Sequence, residues 1–182
     1  MPVTIGASEN TFANPIGLLS DCHRRIERFL QAMLTVATEG AGGPIDGEQR
    51  RALENALRYF REAAPKHTAD EEQDLFPMLR GLGDQHVSQV LAEVDRLEGE
   101  HKTTEAGHRE AEELCQRWLR EDCLPPQDAA RLTQVLSALR DLYNTHIAAE
   151  EERVFPLAQA ELSASQKQAL GRQMAARRRL TE

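Results

Sequence analysis

Aromatic residues make up only 4% of this 182-residue chain, with one tryptophan and two tyrosines, and runs of β-branched residues are scarce. Strands draw on both residue types, whereas Ala, Leu, Glu, Gln and Arg, which dominate here, favour helices, so a sheet-built core is excluded. Cysteine is also short: Cys22, Cys115 and Cys123 are odd in number and none stands in a Cys-x-x-Cys spacing. Neither a disulfide framework nor a thiolate zinc site is indicated, and reduced thiols are expected. Positive charge is in deficit, with 22 Lys and Arg against 30 Asp and Glu for a net charge of -8. Nucleic acids and anionic membranes need a positive field to neutralise their phosphates, so neither is an expected partner. No apolar window is long enough to cross a bilayer, and the N-terminal stretch lacks the basic and apolar regions of a secretion signal. A cytoplasmic location is the expectation.

What is present is enough apolar material, 40% of the residues, for one domain with a sizeable core. Gly and Pro cluster at 39–46, 81–84 and 121–128, with a softer break at 162–165. These breaks delimit four long helical segments and a short fifth. Short connections favour antiparallel neighbours, so the expected fold is an all-α, up-down-up-down four-helix bundle. The expected layout is an N-terminal extension at 1–13, a bundle of two duplicated hairpins at 14–162, and a C-terminal helix at 163–182. Pro65 falls inside the second segment and is expected to kink or restart it.

The chain repeats itself. HTADEEQDLFPML (67–79) and HIAAEEERVFPLA (146–158) share six identities in thirteen positions at an offset of 79, and His23 and His101 are offset by 78. Each half therefore places a histidine on its first helix and a His-x-x-x-Glu on its second. Residues four apart lie one turn along the same helix face, so His67 with Glu71, and His146 with Glu150, can each grip one ion. The apolar stripes give their direction. Leu57, Phe60, Ala64, His67, Glu71 and Leu75 follow one another by threes and fours, as do Leu139, Leu142, His146, Glu150 and Val154. Leu19, His23 and Ile26 on the first helix and Val94, Leu97 and His101 on the third do the same. All six polar residues are expected to face inward.

Burying two carboxylates and four imidazoles costs several kcal/mol per unpaired charge, and no inward Lys or Arg occupies these stripes. A cation is the economical compensation. A nitrogen and oxygen donor set without thiolate suits iron, manganese or zinc, and two carboxylates placed to bridge favour a dinuclear redox site, with iron the first choice. Glu72 and Glu151 lie about 100° further round and are expected to be solvated or to support the ligands from behind. Two further inward residues are expected on the third helix, Glu105 and His108. They form either a hydrogen-bonded pair at the bundle end, or an extra ligand and proton relay. Phe76-Pro77 and Phe155-Pro156 are read as packing and helix-end features, and the arginines at 177–179 as complements to a helix dipole.

The pattern of His23, HTADE, His101 and HIAAE resembles the haemerythrin-like HHE cation-binding family over roughly residues 14 to 160. The resemblance implies a di-iron centre with His23, His67, His101 and His146 as terminal ligands, Glu71 and Glu150 bridging, and an oxo or hydroxo bridge between the ions. Oxygen-carrying members have a histidine where this chain has Glu105, so reversible oxygen carriage does not follow from the resemblance. The expected function is binding or sensing of oxygen or nitric oxide at an open coordination position. The alternatives are an enzyme reducing peroxide or nitric oxide, and iron buffering.

Overall fold

The computed structural model describes residues 10–82 and 85–179, the side chains of 85–89 excepted. Residues 1–9 of the expected extension, Gly83 and Asp84 of the second break, and residues 180–182 lie outside that part. No strand occurs among the described residues. Five helical rods follow one another. The first is α1 (Pro15–Gly40). The second runs through α2 (Gly47–Glu62), α3 (Ala64–Asp70), a π-helical turn (Glu71–Leu75) and α4 (Phe76–Arg80). The third is α5 (Gln85–Glu121), and the fourth runs through α6 (Pro126–Ala149), a second π-helical turn (Glu150–Val154) and α7 (Phe155–Glu161). The short fifth rod is α8 (Ala164–Arg177). The first four form the expected antiparallel bundle.

Local chemistry sets the boundaries. Asp46 accepts from the backbone N–H groups of Glu48 and Gln49 at 2.8 Å each, and the Gln49 side chain returns the bond to Asp46. This reciprocal cap starts α2, and Ser163 with Gln166 repeats it for α8. Pro65 restarts the second rod as α3, as its missing N–H requires.

The two Phe-Pro pairs do not end their helices. Pro77 and Pro156 sit inside continuing rods, and in an α-helix their rings would strike the carbonyl four residues back. The chain widens instead: the Phe76 and Phe155 N–H groups donate to the carbonyls of Glu71 and Glu150, five residues earlier. Each widened turn begins at one of the inward glutamates, a placement π-turns often take at functional sites.

Two apolar clusters occupy the ends of the bundle. One gathers Leu30, Leu53, Trp118 and Leu136. The other gathers Leu19, Leu75, Phe76, Val154 and Leu170. Between them lies a polar layer containing all six inward residues, each buried.

The C-terminal arginines do more than complement a dipole. Arg178 holds Asp70 at 2.6 Å, and Arg177 holds Asp74 at 2.7 Å and also pairs with Asp70. Asp70 is 0% exposed. Because α8 packs on α3, its arginines reach sideways into the bundle, a contact that the local sequence of α8 does not encode.

Candidate metal centre

The six residues arrive from four rods. His23 comes from α1, His67 from α3, His101 from α5 and His146 from α6, while Glu71 and Glu150 open the two π-turns. They assemble as two sets, His23 with His67 and Glu71, and His101 with His146 and Glu150. Within each set the donor atoms lie inside 4.8 Å of one another. Each hairpin supplies one set.

The carboxylates join the sets. Glu71 Oε1 lies 3.3 Å from His67 Nε2, and its Oε2 lies 3.7 Å from His101 Nε2. Glu150 mirrors it, with Oε1 3.3 Å from His146 Nε2 and Oε2 3.0 Å from His23 Nε2. Each glutamate therefore offers one oxygen to each set. All four oxygens are buried without a hydrogen-bond partner, as is His23 Nε2. A buried, unsatisfied carboxylate is costly, and a cation removes that cost.

The imidazoles are oriented from behind. His23 Nδ1 faces Glu151 at 2.8 Å, His101 Nδ1 faces Glu72 at 2.8 Å and His146 Nδ1 faces Glu100 at 2.9 Å. A carboxylate accepts the Nδ1 proton and turns the Nε2 lone pair inward. His67 differs, for its Nδ1 is buried with no partner. With both their Nδ1 atoms donating, His101 and His146 bring Nε2 atoms to 3.1 Å. Two lone pairs that close repel unless a proton or a cation lies between them. Nitrogens bound at right angles to one ion at ~2.1 Å would be about 3 Å apart, so the spacing fits a shared metal.

Electrostatics agree with this fit. Burial, reinforced by the charge of Glu150, pushes the Glu71 carboxyl up to about 8. Burial would raise Glu150 as well, but the neighbouring imidazoles of His146 and His23 outweigh it and hold that carboxyl low. Burial opposes charge on His23, yet Glu150, Glu151 and Glu71 hold its imidazolium well above the ordinary range. A metal takes the place of these protons, so uptake releases them and affinity falls as pH drops below about 8. Adding metal to metal-free protein at pH 7 in weak buffer is expected to acidify the solution. No proton release would contradict this account.

The structure separates the two ambiguous residues. Glu105 is exposed and belongs to neither set, which corrects the expectation that it faces inward. Four residues advance about 400°, placing Glu105 about 40° past His101, whereas His108, seven residues on, falls within about 20° of it. His108 accordingly stays inside, 2.8 Å from the Tyr143 hydroxyl. It does not pair with Glu105. Glu100 and Tyr143 were not singled out by the sequence, because each acts on a residue of the other helix in its hairpin.

A model of the hemerythrin HHE cation-binding domain matches residues 14–168. The chain belongs to this family. It is also similar, at 28% identity over 177 residues, to an uncharacterized protein of Haemophilus influenzae, the match covering 94% of each chain. Family membership and the two buried His/Glu sets together make this an all-α, metal-binding hemerythrin-like bundle. No described helix is long and apolar enough to cross a membrane.

Proposed function

We propose that the chain holds two iron ions, with His23 and His67 on one, His101 and His146 on the other, and Glu71 and Glu150 bridging them. The function proposed for this centre is binding or sensing of oxygen or nitric oxide. The observation that carries the reading is the division of each glutamate's unpartnered oxygens between the two histidine pairs. With both glutamates shared, each ion would have two histidine nitrogens and two carboxylate oxygens, a donor set that suits iron and leaves octahedral positions free for an outside ligand. Bound iron would supply reversible electron transfer and a coordination position for a diatomic molecule.

The chain's own residues prepare that role. Glu72, Glu100 and Glu151 fix three imidazole tautomers and raise their basicity, and Phe155 stacks on His23 at 5.1 Å and 7° to hold the ring. Glu100→Ala is expected to weaken metal binding by about 10–100-fold, the usual loss when such a supporting carboxylate is removed. Competition against a chelator measures this, and unchanged affinity would remove Glu100 from the scheme.

The experiment for the function is an optical spectrum of iron-loaded protein, reduced and then exposed to oxygen, nitric oxide and peroxide in turn. A reversible change with oxygen or nitric oxide supports binding or sensing, whereas turnover of peroxide or nitric oxide with an electron donor supports the enzymatic alternative. No change with any of the three defeats both.

A further inference from the structure

One side of the metal centre opens into a cavity of about 510 Å³ between the α2–α3 rod and α5. Of the six clustered residues, His101 alone lines it. The cavity therefore approaches the His101–His146 set, while His23 on the other set lies under the Phe155 ring. Met33, Leu57, Phe60 and Ala111 give it an apolar stretch of wall. Tyr143 from α6 and His108 from α5 add a polar part to the lining, where they meet at 2.8 Å, with the Phe60 ring 4.6 Å from that of His108.

The volume exceeds by far what a diatomic molecule fills and falls in the range of sites for small organic ligands, which combine apolar walls with a few placed polar groups. Charge in the lining is mixed, Lys102 and Arg109 against Glu72, Glu105 and Glu112, with Glu72 engaged by His101 and Glu112 by Arg61, so neither sign dominates. Burial keeps the His108 ring neutral, its pKa lowered to about 4, and holds the Tyr143 phenol protonated. One of these two neutral groups donates to the other, and in either direction the Tyr143 oxygen keeps a lone pair that can accept from a ligand hydroxyl.

We propose that this cavity binds a neutral organic molecule with an apolar body and a single hydroxyl or hydroperoxyl head, and that the head meets the His101–His146 side of the metal centre. The inference rests on the metal-centre reading above and adds the side of entry and the ligand class. The body lies against Phe60 and Leu57. The head replaces solvent beside Tyr143.

The test is calorimetric titration of the full chain with cumyl alcohol, in metal-free and iron-loaded forms, alongside Ala64→Phe and Tyr143→Phe. Ala64 lines the cavity and is only half-buried, so a larger side chain there fills the space without crowding the core. Saturable one-to-one binding by the wild-type chain is expected, weakened about tenfold in each variant, the equivalent of one good contact. Displacement of the alcohol by cumene hydroperoxide from metal-free protein would assign the hydroperoxyl head, and failure to displace it the hydroxyl head. Iron-loaded protein is expected to show an altered optical spectrum on adding the alcohol. Normal iron content with no saturable binding up to the solubility limit, or binding indifferent to both cavity variants, overturns this proposal alone. Absence of iron binding overturns the metal-centre reading and with it the placement of the head.

Discussion

A His67→Ala, His146→Ala double variant is expected to lose the two metal ions proposed for the wild-type chain. Each substitution removes one of the two imidazoles of a set and leaves Glu71 and Glu150 without the nitrogen 3.3 Å away. The glutamates face both sets, so damage on one side reaches the other, and the loss in the double variant is expected to fall short of the sum of the single variants. Stability provides a second readout. An ion present at a thousandfold over its Kd stabilises the fold by about 4 kcal/mol, so chelation should lower the wild-type Tm and leave that of the double variant unchanged. Elemental analysis and a thermal scan check both statements, with His108→Ala as the comparison expected to keep its metal. Equal metal in the double variant and the wild type would mean that these histidines are core residues with no ion to hold.

The second large effect lies outside the centre. Replacing Arg177 and Arg178 together by alanine strands the Asp70 carboxylate, which is fully buried and is held by both guanidinium groups. Removing the partner of a buried charge typically costs about 3–5 kcal/mol, because the remaining ion has lost water and gained nothing. Urea unfolding should show a midpoint shift of that size. Adding Asp70→Asn to the double variant should recover part of it by removing the stranded charge. Asp70 precedes Glu71, so the arginine variant is also expected to bind metal less tightly. A loss below about 1 kcal/mol, the size of a surface pair, would show that solvent reaches Asp70 once α8 loosens.

The residues differ in how far the sequence exposes them. His67 and Glu71 were legible because a pair four apart on an apolar stripe has one direction it can face, and the repeat at 146–150 states the same geometry twice. Glu72 and Glu151 were half legible: their rotation away from the stripe was clear, but whether water or an imidazole would meet them was not. Glu105 was misplaced for a related reason. In a helix as long as α5 a step of about 40° decides between the bundle interior and the rim, and spacing alone does not resolve it.

By itself the sequence determined the helical class, the four breaks between rods, the duplicated hairpin and the six inward residues, since each follows from propensity or from periodicity within one segment. Only the tertiary structure decided which carboxylate orients which imidazole. Glu151 and His23 are 128 residues apart, Glu72 and His101 are 29 apart, and His67 is left without such a partner. It also decided that Arg177 reaches Asp70 across 107 residues, and that a cavity ends on His101 rather than His23. These relations depend on how one helix is turned and shifted against another. Packing of whole faces sets that turn, and no local pattern along a single helix carries it.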